Sequence, residues 1–141
     1  MDFLKLAALD EDDLTVISAC MQDAVVKTGE ISYKPKAKRL VMAVNRFAWE
    51  KQGDKLNVPE RRRAVLHFDR VMSVKANGVD RSMPDEVLSV LAIRPVEGNA
   101  QALDILFAGD ATLRLEVECI EAQLADLGSA WAAKGRPKHG A

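Results

Sequence analysis

The chain has 141 residues, 48% hydrophobic and 29% charged, with 8 Gly and 5 Pro. This excludes a disordered, collagen-like or low-complexity polypeptide and fits one domain around one core. Twenty Lys plus Arg against twenty-one Asp plus Glu leave a net charge of -1, so no global field draws the protein to nucleic acid or to an anionic membrane. A conventional structural zinc site would consume both Cys and both His, so neither a metal centre nor a cofactor is expected.

The amino terminus lacks a basic leader and runs into the acids Asp10 to Asp13, unlike a signal peptide. The longest apolar run, Val87 to Ile93 interrupted by Ser89, falls far short of the roughly 20 residues of a membrane-spanning helix. Cys20 and Cys119 lie far apart and give no disulfide framework, so reduced thiols in a cytoplasm are expected. The domain is expected to cover residues 1–134, with a loose tail over 135–141.

In chain order, the mostly apolar stretch from Phe3 to Leu9 predicts a short strand. Asp10 then reads as a helix N-cap, and Glu11, Asp12 and Asp13 favour the positive end of the helix dipole. Leu14, Ile17, Met21 and Val25 recur at helical spacing, predicting a helix from about Glu11 to Ala24. Ile31 and Tyr33 lead into the Lys34-Pro35-Lys36-Ala37-Lys38-Arg39 turn of a hairpin, whose return strand runs from Leu40 toward Trp49 with a bulge or bend after Val44. Residues Lys51 to Glu60 read as a surface loop.

Arg61-Arg62-Arg63 opens a strand with Ala64, Leu66 and Phe68 on one face, continued by Val71 and Val74 toward a turn at Asn77-Gly78. Val87 to Arg94 reads as a central strand covered on both faces and stopped by Pro95. Leu103, Ile105 and Phe107, then Leu113, Leu115 and Val117, alternate inward around a turn at Ala108 to Ala111. Ile120, Leu124, Leu127 and Trp131 predict an amphipathic helix from about Cys119 to Ala133.

The resulting fold class is α+β: a strongly bent antiparallel sheet, or a partly open barrel, of six to seven strands. An N-terminal helix is inserted after the first strand and the C-terminal helix plugs the mouth, an outline like that of pleckstrin-homology domains.

The blocks Asn45-Arg46-Phe47-Ala48-Trp49-Glu50, Arg61-Arg62-Arg63-Ala64, Leu91-Ala92-Ile93-Arg94 and Leu115-Glu116-Val117-Glu118-Cys119-Ile120-Glu121 stand in this order along the chain. With Leu4-Lys5-Leu6 and Ala125-Asp126-Leu127-Gly128, they make the chain resemble a small alphaproteobacterial family of uncharacterised single-domain proteins. The resemblance implies a cytoplasmic protein and assigns no catalytic residue.

Among the residues themselves, Arg61, Arg62 and Arg63 could join Arg46 and the Lys34 to Arg39 turn in one basic surface, where guanidinium forks suit phosphate or carboxylate. The competing reading is solvated charge that guards strand edges. Nucleic acid is a weaker partner, because only 5% of the chain is aromatic and stacking platforms need more. His67 and Asp69 share a strand face, a spacing that can orient an imidazole, but no nucleophile accompanies them. Phe47 and Trp49 beside the loop form an apolar docking patch if exposed, whereas Trp131 reads as core.

The reading these features favour is a non-enzymatic cytoplasmic module that holds an acidic peptide or protein through Arg46, Phe47, Trp49, Arg61, Arg62 and Arg63. The alternative is a small anionic ligand, or an enzyme, with a pocket near His67. A third reading is a homodimer through an edge strand or the C-terminal helix.

Overall fold

The computed structural model describes residues 4–47 and 61–127. Among these residues the elements are β1 (Lys5–Ala8), α1 (Glu11–Met21), β2 (Val25–Lys27), a single 3-10 turn (Thr28–Glu30), β3 (Ile31–Lys34), β4 (Arg39–Phe47), β5 (Arg61–Phe68), β6 (Val71–Asn77), β7 (Val87–Val96), β8 (Asn99–Phe107), β9 (Ala111–Val117) and β10 (Ala122–Asp126). The ten strands form one antiparallel sheet in the order β1-β10-β5-β4-β2-β7-β8-β9-β6, with β3 as a further partner of β4. The sheet is not closed, and β1 and β6 are its ends.

The helix starts where its sequence says it should. Asp10 is extended and its carboxylate accepts from the Asp13 N–H at 2.8 Å, while Asp13 accepts from the Leu9 N–H at 3.0 Å, which satisfies donors that an uncapped first turn leaves open. Leu14, Ile17 and Met21 are fully buried as α1 packs against β7, β1 and β4. The helix stops at Met21 rather than Ala24 because Asp23, at φ 65°, turns the chain into the sheet. The Asp23 N–H donates to the Val90 carbonyl and the Val90 N–H to the Ala24 carbonyl, both at 2.8 Å. Further along β7, the Ile93 N–H finds the Ser18 hydroxyl of α1 at 2.9 Å, so the helix covers strand backbone that would otherwise lie open.

β2 and β3 share one flank of β4, Val25 opposite Asn45 and Ile31 opposite Met42, with the 3-10 turn leaving the sheet between them. Period-two alternation builds the core: Leu40, Met42 and Val44 of β4, Ala64, Leu66 and Phe68 of β5, and the inward rows of β8 and β9 are all buried. The β8–β9 hairpin follows the expected register, with Leu103 opposite Leu115 and Ile105 opposite Leu113.

Several expectations are corrected. The strand count is ten, not six to seven, because β2 and β10 carry weak strand signals and because Phe68 and Val71 belong to different strands. The chain reverses at Asp69-Arg70, with Arg70 at φ 62°, and β6 pairs with β9 at the far end of the sheet. β7 is not covered on both faces, since Val87 and Leu91 are 56% and 51% exposed, and it runs through Pro95, which lies opposite Leu103.

No C-terminal helix is seen among the described residues. Residues 122–126 form β10 between β1 and β5, so this stretch does not supply the helical plug of the pleckstrin-homology outline. An interval of four, as between Ile120 and Leu124, places side chains on one face of a strand as well as of a helix. Ala122 and Leu124 are buried and Gln123 is exposed, which is the strand solution. Trp49, Trp131, the Lys51 to Glu60 segment and the 135–141 tail lie outside the described residues.

The buried role of β10 predicts that Leu124→Ala lowers stability by about 2–5 kcal/mol in urea unfolding. Gln123→Ala, on the opposite face, should change it by no more than about 0.5 kcal/mol.

Candidate functional site

β4 and β5 set Asn45 opposite Arg63, Arg46 opposite Arg62 and Phe47 opposite Arg61, so the four arginines divide between two faces of the sheet. Arg46 and Arg62 share the core face, and Arg61, Arg63 and Phe47 the other. Arg46 is completely buried. Its Nε and Nη2 donate to the two carboxylate oxygens of Asp126, each at 2.8 Å, and its Nη1 donates to the Phe47 carbonyl at 3.1 Å. The same carboxylate, also fully buried, accepts from the Leu4 N–H at 2.9 Å and stands 3.6 Å from Nη1 of Arg62. Burial pushes the Asp126 carboxyl up, but the Arg46 hydrogen bonds, the Leu4 N–H and the charges of Arg46 and Arg62 outweigh it and hold the group below the usual carboxylate range.

The other predicted positions are dispersed. The Arg61 guanidinium lies 4.9 Å from the centre of the Phe47 ring, and Arg63 binds Glu30 at 2.5 Å. His67 Nε2 stands 3.5 Å from Asp69, whose other oxygen accepts from Arg39 at 2.6 Å. Lys38 faces Glu118 at 4.0 Å. Lys38 and Arg39 of the basic turn and Arg62 and Arg63 of the run are thus matched by acids in place rather than gathered into one cationic surface. Among the described residues no group of three or more His, Cys, Asp or Glu side chains is placed to hold a metal ion.

A cavity lies elsewhere, where the sheet stays open. Among the described residues β3 pairs with β4 alone and β6 with β9 alone. They meet at one corner, where the Tyr33 hydroxyl donates to the Val71 carbonyl at 2.7 Å and the Val71 N–H donates to the Lys38 carbonyl at 2.9 Å. Beyond that corner a cavity of about 220 Å³ opens, walled by Ile31 and Tyr33 of β3 and by Val74 and Ala76 of β6, with Leu40 and Leu113 also lining it.

The β6–β7 connection closes the cavity's end with Val79 and Arg81. Gly78 begins this connection at φ 77°, where a Cβ would lie 3.1 Å from the Ala111 Cα and 3.2 Å from the Asp110 carbonyl oxygen; only glycine fits that backbone without strain. Asp80 then accepts from the Ser82 hydroxyl at 2.6 Å and the Ser82 N–H at 2.9 Å, and these bonds lower its pKa. The far end is pinned to the 3-10 turn: Gly29 N–H donates to the Pro84 carbonyl at 2.8 Å, and Thr28 N–H to the Glu86 carbonyl at 2.9 Å. Arg81 is exposed at the rim and has no ion-pair partner among the described residues.

Sequence reasoning missed this site because its walls, β3 and β6, are distant in sequence and not paired with each other. The Asn77-Gly78 turn that opens the closing loop was its one legible trace.

Because Asp126 holds a fully buried guanidinium, Asp126→Ala should lower stability by roughly 3–5 kcal/mol in urea. Its depressed pKa makes the carboxylate's contribution complete above the unfolded value of about 3.9 and lost as pH falls through the lower folded value. The wild type should therefore lose this contribution only below about pH 4, and Asp126→Asn should flatten that part of the stability–pH curve.

No curated protein and no solved structure matches the chain. A family model described as a protein of unknown function matches residues 4–139, which takes in every described element from β1 to β10. The chain therefore belongs to the DUF2948 family.

Proposed function

We propose that this protein is a non-enzymatic cytoplasmic binding module of an alphaproteobacterial family, and that it holds an acidic peptide or protein segment at the cavity between β3 and β6. The observation that carries the reading is the combination of an apolar cavity of about 220 Å³ with an exposed, unmatched guanidinium, Arg81, at its rim. An apolar anchor in a pocket with a charged group at its edge is the usual composition of a recognition site.

The two hydroxyls among the residues lining the cavity, those of Tyr33 and Thr28, favour holding over catalysis. The Tyr33 hydroxyl donates to the Val71 carbonyl and the Thr28 hydroxyl to the Glu86 carbonyl at 3.3 Å, so neither sits beside a base that would activate it. The Arg61, Arg62 and Arg63 surface supports the reading less, since Arg63 is engaged by Glu30 and Arg62 faces Asp126. The small-anion reading near His67 has less support again, because the imidazole lies on the outer face beside Asp69 and does not line this cavity.

Selection of random peptides on the immobilised protein tests the proposal. The expected outcome is enrichment of sequences that join apolar residues to Asp or Glu. Ala76→Trp, which fills the cavity, and Arg81→Glu should each weaken the selected peptide about tenfold or more, with the fold retained by circular dichroism. Enrichment of peptides without acidic residues overturns the proposal, as does loss of binding in Arg61→Glu/Arg63→Glu with Arg81→Glu unaffected. A small organic acid released from the native protein and lost in Arg81→Glu would transfer the cavity to the small-ligand reading.

A further inference from the structure

We infer that the acidic segment binds as an added β-strand in the gap between β3 and β6, its apolar side chains entering the cavity and a carboxylate meeting Arg81. The inference rests on the binding-module reading and specifies the partner's conformation.

Three observations carry it. Among the described residues both walls are strands with one edge unpaired: β3 pairs with β4, and β6 is the last strand of the sheet. Unpaired N–H and C=O groups along such an edge template another strand. Secondly, β3 and β6 are joined to each other through a tyrosine side chain, Tyr33 to the Val71 carbonyl, not through a ladder of main-chain bonds. Neighbouring strands stand about 4.8 Å apart and bond directly, so walls bridged by a whole side chain are wider apart than a paired edge. The Lys38 carbonyl, which takes the Val71 N–H, belongs to the β3–β4 turn and pinches only the corner.

Thirdly, the charge around the gap selects the occupant. Lys34 on β3, Lys75 on β6 and Arg81 on the closing loop are exposed and have no carboxylate partner among the described residues. Lysine on an edge discourages an apolar or cationic strand from pairing there; a strand that carries carboxylates on its outward face satisfies the same charges. The wall is apolar inward, through Ile31, Val74 and Ala76, and cationic outward. A strand alternating apolar and acidic residues complements both, because successive side chains point to opposite faces.

The four residues of β3 set the length of the occupant, and an acetylated peptide of about six residues alternating Leu and Glu spans them at about 3.3 Å per residue. Titration calorimetry with this peptide, and with versions N-methylated at one backbone nitrogen at a time, tests the inference. Strand addition between the two edges predicts that methylation at the central positions raises Kd about tenfold or more whichever wall the nitrogen faces, while methylation at the ends of the peptide changes it by less than about twofold. It also predicts that Arg81→Glu weakens the unmodified peptide, and that the amides of β6 exchange more slowly in the complex. Binding that tolerates N-methylation at all positions overturns strand addition but leaves the binding module standing. Absence of binding by this peptide, together with failure of the random selection to yield acidic peptides, overturns both.

Discussion

Asp126 ties together strands from three distant parts of the chain. Its carboxylate holds the buried Arg46 of β4 through two hydrogen bonds, takes the Leu4 N–H ahead of β1, and faces Arg62 of β5. Taking a carboxylate and a guanidinium out of water is costly, and a buried pair repays it only when the remaining donors and acceptors are also satisfied. The bidentate geometry and the Phe47 carbonyl on Nη1 meet that condition. The consequence is register: slipping β10 by one residue against β5 would turn Asp126 to the outer face and strand Arg46 in the core. With β10 fixed, its partners β1 and β5 are fixed on either side.

From that tie the architecture divides into a closed side and an open one. On the closed side α1 packs against β1 and β7 and covers β7 backbone at Ile93 with the Ser18 hydroxyl. On the open side no helix among the described residues performs that service. β3 and β6 approach, touch through Tyr33 and Val71, and part again over the apolar lining of the cavity. The loop that closes the cavity's end is held by Gly78 against the β8–β9 turn and by Pro84 and Glu86 against the 3-10 turn. Its Arg81 is therefore carried on a connection anchored at both ends, which lowers the cost of ordering it on binding.

The charged residues illustrate how sequence runs mislead about surfaces. Arg61, Arg62 and Arg63 are contiguous, yet the strand pleat sends the middle one toward Asp126 and the outer two to the opposite face, where one stacks on Phe47 and the other binds Glu30. The Lys38-Arg39 end of the basic turn is likewise answered by Glu118, just after β9, and Asp69, in the reversal after β5. A run of one sign in a strand is not a patch until the partners brought by folding have been counted.

The sequence by itself determined what depends on neighbours along the chain. The Asp10 cap and the α1 stripe were legible because a helix is written within a few residues. So were the β3–β4 turn, the inward row Ala64, Leu66 and Phe68, and the whole β8–β9 hairpin, whose alternation and turn chemistry agree. Only the tertiary structure decided the rest. β2 is three residues long and exists because β4 and β7 receive it. β10 lies in a stretch that Ile120, Leu124, Leu127 and Trp131 mark as helix, where the interval of four between Ile120 and Leu124 serves both periods, and it becomes a strand because β1 and β5 flank it. The burial of Arg46 needs Asp126, and the cavity needs β3 and β6 to stand side by side without pairing. Both are contacts between segments about forty to eighty residues apart, and no local pattern encodes a partner at that distance.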